Sequence, residues 1–358
     1  MKNMERKPYR LEHYTSKGKQ VYNLVKDITV KNKKTKVRVS LGHIKPTKEE
    51  VKKLSKKYAY ALEAQAAEKR AKLSASLFQS KCLTSEQIIN IERIRYLYKT
   101  FTSLLTTSEI KIYESTFEVN YVQGTTSIEG NTITTAETYS LLIDGILPKG
   151  KKLREINEVQ NFKKVKAYRD SYNKRITLDF IKSLHSLIMD NIDYHSAGFF
   201  RRIDDIGIYG CDLPVTPAIL IKDDLVELID RYYRQLEEGV HPFEAAALFH
   251  YDFEMIHPFT DGNGRVGREI FNYMLKKCGY PRLLFLGEDR IRYIKSLKFG
   301  NKEKYKEMIQ IFVEIIVDQR YHVLVEKLKD VVTPPKDTKQ VRMDEFYKLP
   351  SRKKVLLA

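Results

Sequence analysis

Between Gln20 and Leu41 polar and β-branched residues alternate: Asp27-Ile28-Thr29-Val30 and Lys36-Val37-Arg38-Val39 are period-two runs, and the polar Asn32-Lys33-Lys34 lies between them. Alternation around a polar turn predicts a hairpin. From Thr47 the period lengthens. Thr47 and Glu50 have capping-box spacing, and a Lys/Ala/Glu/Leu-rich stretch continues to about Phe78, which predicts a long helix. A second helix is predicted from Ser85, with Ile88, Ile91, Ile94, Leu97 and Tyr98 at helical intervals. A third runs from Ser108 to Glu129 and is stopped by Gly130-Asn131, after which Thr134 and Glu137 again have capping-box spacing. Helical periodicity then holds to about Val331, except over Ser196–Pro217. There Gly198, Gly207, Gly210, Pro214 and Pro217 punctuate β-type residues and predict a hairpin set into a helical body. No internal repeat is found. The expected fold is mainly α, with a small β-hairpin region over 1–45, a helical arm or linker over 46–107, a helical core over 108–331 and a basic tail over 332–358 that opens with Pro334-Pro335.

Composition supports a folded, water-exposed chain. Of 358 residues 42% are hydrophobic and 31% charged, enough to bury a core. The net charge of +18, with Lys/Arg clusters near Lys31–Lys36, Lys149–Arg154, Lys163–Lys166 and Arg352–Lys354, favours an acidic or nucleic-acid partner for the flanks and equally suits a solubilising surface. Cys82, Cys211 and Cys278 have no metal or redox spacing, and one is left over from any disulfide. The N-terminus MKNMERKPYR lacks an apolar core, and the apolar stretch Met308–Val317 is too short to span a bilayer and carries Gln310 and Glu314, so the chain is expected to be cytoplasmic with no membrane partner.

Chemistry concentrates after Phe243–Ile256, where Ala246, Phe249, Phe253 and Ile256 give a helix an inward face. The next segment is His257-Pro258-Phe259-Thr260-Asp261-Gly262-Asn263-Gly264-Arg265-Val266-Gly267-Arg268, and Val266, Ile270 and Met274 then mark a following helix that ends near Gly279 and Pro281. Gly262 and Gly264, flanking Asn263 at a helix N-terminus, allow left-handed backbone and turn N–H groups toward one point, which makes an anion site. Arg265 and Arg268, three apart on the first helical turn, suit a polyphosphate. Asp261 reads either as an oxygen ligand for Mg²⁺ or as an N-cap. His257 ionises near neutrality and reads either as a structural cap or as a base that takes a proton from an incoming hydroxyl; the company it keeps favours the base.

The segment HPFTDGNGRVGR resembles the Fic family motif HPFx(D/E)GNGRxxR at every required position. Thr125-Thr126-Ser127-Ile128-Glu129-Gly130 resembles the family's inhibitory (S/T)xxxE(G/N) motif, and Arg154-Glu155-Ile156-Asn157-Glu158-Val159 its early core helix, so the resemblance covers roughly Thr116–Asp318. It implies a Fic-type helical bundle and a protein adenylyltransferase that moves AMP from Mg–ATP to a Ser, Thr or Tyr hydroxyl of a target protein. His257 would deprotonate that hydroxyl, Asp261 would bind Mg²⁺, Gly262, Asn263 and Gly264 would hold the α- and β-phosphates, and Arg265 and Arg268 would complete the ATP site, with Arg268 on the γ-phosphate. Glu129 would pair with Arg268 and restrain the enzyme; in some relatives that glutamate supports removal of AMP, which implies a de-AMPylase as the alternative.

Gly198–Arg201 followed by Ile206–Gly210 resembles the family flap, a hairpin that docks the target as an added strand. Asn272 and Tyr293 read either as borders of the nucleoside or as inward structural residues. Two other classes compete. A hydrolase metal site of His241, His250 and His257 has the wrong spacing and no HExxH helix, whereas a basic helical nucleic-acid binder fits the charge and leaves the glycine loop unexplained. A homo-oligomer is compatible with all of these.

Overall fold

The computed structural model describes residues 9–204 and 215–332. They divide into two compact units, one holding residues up to Leu77, Ser85–Ile110 and the chain from Ile316, the other Phe78–Thr84 and Lys111–Ile315.

In the first unit the expected hairpin is a three-stranded antiparallel meander: β1 Arg10–Ser16, β2 Lys19–Val30 and β3 Lys33–Gly42, in that order. The turn between β2 and β3 is tighter than predicted. Lys31 takes the left-handed region at φ 47° and Lys33 already pairs with Val30, so Asn32-Lys33-Lys34 is not the turn. Strand β1 escaped prediction because RLEHYTS is an edge strand with no buried residue and therefore no apolar alternation. Helix α1, Lys48–Ala75, starts on the predicted Thr47–Glu50 capping box. It buries Leu62 and Ala66 against Leu24, Ile28, Val30 and Val37, so the region around residue 45 joins the sheet to its covering helix, and both share one core. Helix α2, Ser85–Leu104, lies in the same unit.

The second unit is helical. Helix α3, Thr107–Ser127, enters it, followed by α4 Thr135–Tyr139, α5 Leu153–Ser171, α6 Leu178–Ile188 and α7 Ile221–Glu237. Helix α8, Pro242–Ile256, begins at His241, whose Nδ1 accepts from the Phe243 N–H, with Pro242 in the first turn where its missing N–H costs nothing. Phe243, Ala245, Ala246, Ala247 and Phe253 are fully buried, so α8 is apolar on more than one face, as a central helix must be. Helix α9, Asn263–Lys277, packs against it with Phe271 edge-on to Phe243 and Gly267 close to Phe253, and also buries Val266, Ile270 and Met274. Helices α10 Arg290–Gly300, α11 Tyr305–Ile316 and, returning to the first unit, α12 His322–Val332 complete the described chain. Among the described residues no helix is long and apolar enough to cross a membrane. The segment Ile206–Gly210 and Cys211 lie outside the described residues, and Gly198–Asp204 leading to them carries no strand.

Candidate active site

The loop between α8 and α9 is fixed from both ends. His257 terminates α8 in the left-handed region at φ 48°, its N–H donating to the Phe253 carbonyl. Arg201, 4% exposed, directs its donors at carbonyls here: Nε on His257 O at 2.8 Å, Nη2 on Ile256 O at 3.3 Å and on Thr216 O, and Nη1 on Ile203 O at 2.9 Å. A cation at the carbonyl end of a helix is favoured by the helix dipole, and this one also locks the position of His257. Asn263 closes the loop from the other side. Its Oδ1 accepts from the Phe259 N–H at 2.9 Å and its Nδ2 donates to the Phe259 carbonyl at 2.8 Å, so the side chain holds the turn and only the backbone of Asn263 is free to face an anion.

Gly262 is the N-cap of α9 at φ 80°, so Asp261 stands one residue before the cap and the N-cap alternative for it falls away. The Asp261 carboxylate lies 3.1 Å from Arg265 Nη2 and 2.5 Å from Arg154 Nη2. Burial would raise its pKa, but Arg265, the Gly262 N–H and Arg154 outweigh burial and hold it below the usual carboxylate range. The His257 imidazole is pushed the other way: burial lowers its pKa first, Arg201 adds to that, and the carbonyl of Glu254 opposes it. Its Nδ1 is buried beside that carbonyl without reaching hydrogen-bond geometry. At neutral pH the ring is therefore uncharged and able to accept a proton.

Both arginines of the first turn of α9 are buried; Arg265 has Glu158 as well as Asp261, and Arg268 has Glu129. Arg265 Nη1 lies 3.4 Å from Glu158 on α5, and Glu158 is itself held by Arg154 at 3.2 Å and by Asn131 Nδ2 at 2.9 Å. Arg268 Nε donates to Thr125 Oγ1 at 2.8 Å and Nη2 to the Thr125 carbonyl at 3.0 Å and to Glu129 Oε1 at 2.7 Å. Glu129 sits in a turn two residues beyond the end of α3 rather than in its last helical turn, and Gly130 follows it at φ 95°. The carboxylate at this helix end is compensated by Arg268. A Cβ on Gly264 would lie 2.5 Å from Glu129 Oε1 and 2.7 Å from Arg268 Nη1. The Glu129 carboxylate therefore fills the space directly over the first turn of α9, where an anion would lie.

Several residues that place these groups carry no motif. His185, buried on α6, donates from Nε2 to the Asp261 carbonyl at 3.0 Å while its Nδ1 accepts from the Gly198 N–H at 2.9 Å, and its ring stacks on Phe259 at 3.7 Å between centroids. Burial drives its pKa down to about 4, so it is a neutral ring with one tautomer. Gly124 lets α3 run against the chain at Phe285, whose carbonyl a Cβ would strike. Glu254, buried behind Gly267, is pushed up to about 7 by burial. Each of these was an unremarkable letter in an apolar helix; a lone His in Leu178–Ile188 was the one available signal.

Other candidates resolve as structural. Asn272 exchanges two hydrogen bonds with the Leu283 backbone at 2.9 and 2.7 Å, and Tyr293 is buried with its hydroxyl 2.9 Å from His250 Nε2. His241 caps α8, His250 is buried in α8 and His257 ends it, and among the described residues no group of acids, histidines and cysteines is placed to hold a metal by itself.

Comparison with known proteins agrees with this geometry. Residues 175–275 match the Fic/DOC family model. The chain is 34% identical over 206 residues to Protein adenylyltransferase Fic of Drosophila ananassae, a match that covers 55% of this chain and 39% of that one. It is 32% identical over 187 residues to Protein adenylyltransferase fic-1 of Caenorhabditis briggsae, covering 51% and 36%. It thus spans well under half the length of these relatives. Its fold is similar to a Fic domain-containing signaling protein from Bacteroides thetaiotaomicron (TM-score 0.58, 23% identity, 66% of this chain and 96% of that one). It is also similar to Fic-1 of C. elegans (TM-score 0.56, 22% identity, 80% and 94%). A family model matched over residues 175–275, relatives a third identical over about half of the chain and a similar helical fold converge on the segment that holds the loop from His257 to Arg268, and there the chain is similar to the Fic/DOC family.

Proposed function

We propose that the chain is a protein adenylyltransferase restrained by Glu129. The observation that carries this is the pairing of Glu129 with Arg268 in the volume above Gly264, which only the absence of a Cβ leaves open. The oxygen of a target Ser, Thr or Tyr hydroxyl bonds to the α-phosphorus of ATP, the bond from that phosphorus to the bridging oxygen breaks, and pyrophosphate leaves with the electron pair. His257 takes the hydroxyl proton; burial keeps it neutral for that role. The N–H groups of the first turn of α9, unpaired within a helix, receive phosphate oxygens, and Arg265 stands beside them. The donor set suits a hard cation, since Asp261 stays ionised at the mouth of the loop. Asp261 would hold Mg²⁺ together with phosphate oxygens, and the ion would supply neutralisation of the charge that builds on the leaving pyrophosphate. Arg154 must then give up its contact with Asp261. The segment entered at Gly198 would align the target, tied to the loop through His185. A cytoplasmic setting belongs to the same proposal.

Incubation with α-labelled ATP and Mg²⁺ should label the protein or a lysate component weakly in the native chain and strongly in Glu129→Gly, while γ-labelled ATP labels nothing. Transfer that survives His257→Ala, or label from the γ-phosphate, would overturn the proposal.

A further inference from the structure

The charge of the chain is unevenly placed. Residues 1–77 carry 21 Lys and Arg against 7 Asp and Glu, residues 78–332 carry 36 of each, and residues 333–358 carry 7 against 3. The part that holds the loop from His257 to Arg268 is thus balanced, and the excess belongs to the ends. Most of it lies on the meander β1-β2-β3 and α1.

Helix α1 covers one face of that sheet. Leu24, Ile28 and Val30 of β2 and Val37 and Val39 of β3 point toward α1. By alternation and register, the opposite face carries Val25 beside Arg10 and Arg38, Asp27 beside Lys36, Thr29 beside Lys34, and Asn23 beside Glu12 and Ser40. Its two acids are already used: Asp27 pairs with Arg10 at 2.8 Å, and Glu12 with Lys36 at 2.7 Å and with Arg10. Val21, Asn23 and Val25 along the middle of this face are buried, Val25 to 1% exposure, so the exposed charges frame it. Lys34 and Arg38 are exposed on this face, with Lys19 at one end, Lys17 and Lys31 in the turns, and Tyr14 half exposed; no ion pair is found for these five cations among the described residues.

We infer that the exposed cations on and around this sheet face form a docking surface for duplex DNA. A row of unpaired cations on a rigid backbone fits an ordered line of phosphates, and fixed Arg10–Asp27 and Lys36–Glu12 pairs present both donors and acceptors between them. Width selects the kind of duplex. The major groove of B-form DNA is about 12 Å wide and admits a two-stranded β-ribbon, so two of these strands, about 4.8 Å apart, can enter it together. The major groove of A-form RNA is too deep and narrow for side chains to enter. The inference does not rest on the proposed transferase activity.

The test is binding of the full chain to a labelled 20-base-pair DNA, followed by fluorescence anisotropy from 50 to 200 mM salt, with duplex RNA of the same sequence alongside. DNA should bind more tightly than RNA, with log K falling linearly in log salt. Lys34→Ala/Arg38→Ala should weaken DNA binding about tenfold or more and make the salt slope shallower by about 2, one for each phosphate that no cation then neutralises. Lys302→Ala/Lys304→Ala, which removes the same charge elsewhere, should leave both unchanged. Lys17→Ala/Lys19→Ala reads the same surface independently should the first variant lose its circular dichroism or melt early. Equal weakening by sheet and control variants, RNA bound as tightly as DNA, or no DNA binding at 50 mM salt would each overturn the assignment.

Discussion

Arg265 and Arg268 stand three residues apart on one helix and are equally buried, at 2% and 1% side-chain exposure, yet they are neutralised in different ways. Arg265 faces two acids: Asp261, 42% exposed, at 3.1 Å, and Glu158, 10% exposed, on α5, bound by two further groups and 3.4 Å away. The acid facing Arg268 is Glu129, 39% exposed, on a turn after α3 and held by Arg268 itself. A buried acid built into a helix is costly to remove, because the groups that bond it are left unsatisfied. A carboxylate that is itself 39% exposed on a turn can give up its place to another anion, because water already shares in solvating it, while the buried arginine stays put. One arginine is thus wired into the fold, and the other is available for regulation.

Breaking the two pairs one at a time should separate them. Glu158→Gln should lower unfolding free energy by about 1–3 kcal/mol, because it disturbs the buried bonds from Asn131 and Arg154 while Asp261 still neutralises Arg265, read as a shift in the urea midpoint. Glu129→Gln should change it by less than about 1 kcal/mol. Equal losses from both would mean that Glu129 is structural and that the regulatory contrast is wrong. In activity the order reverses. Glu129→Gly should raise AMP transfer about tenfold, which corresponds to about 1.4 kcal/mol of displaced competition at Arg268, measured as initial rate with α-labelled ATP. Glu158→Gln should not raise it.

A smaller and more local test uses the glycine between them. Gly264→Ala places a methyl against the Glu129 carboxylate, so it should cost about 1–2 kcal/mol in the native chain. In a Glu129→Gly background the same change should cost less by about 1 kcal/mol, since Ala is a better helix former than Gly and the nearest obstacle is gone. Equal costs in the two backgrounds would place Glu129 away from Gly264.

How much of this was legible in the sequence depended on whether a role was local. The loop from His257 to Arg268 carries its chemistry within a dozen letters, and the capping boxes at Thr47 and Thr134 repeat a local hydrogen-bond pattern, so these could be read directly. The residues that aim the loop could not. Arg201 reaches His257 across 56 positions and His185 reaches Asp261 across 76, and neither differs locally from any Arg or His in a helical chain. Asn263 was legible only in part: it was read as part of a phosphate cradle, and its side-chain amide is consumed by Phe259, which leaves the backbone for that role, because a tight turn must satisfy its own buried backbone before its side chains can serve a ligand. Strand β1 was missed for the opposite reason, since an exposed edge strand leaves no hydrophobic period to find.

The fixed side of the site also makes a prediction in pH. His185 is held near 4 by burial, against an ordinary value of 6.5. The unfolded chain therefore takes up a proton near 6.5 that the folded chain refuses until about 4, so the stability contributed by the neutral ring is complete above 6.5 and is lost as pH falls to 4. Glu254, pushed up to about 7, and Asp252, pushed up to about 6, both by burial, have the opposite sign: the folded chain keeps protons that the unfolded chain gives up near 4, so stability drains as pH rises. The windows overlap and the native profile partly cancels, so only a difference between variants isolates one group. His185→Asn should be least stable relative to the native chain above pH 6.5, and the gap should narrow by up to about 3 kcal/mol on going to pH 4, measured from urea midpoints at each pH. Parallel profiles would mean that His185 is not held neutral between Gly198 and Asp261, and the Arg265 side of the site would lose its claim to rigidity.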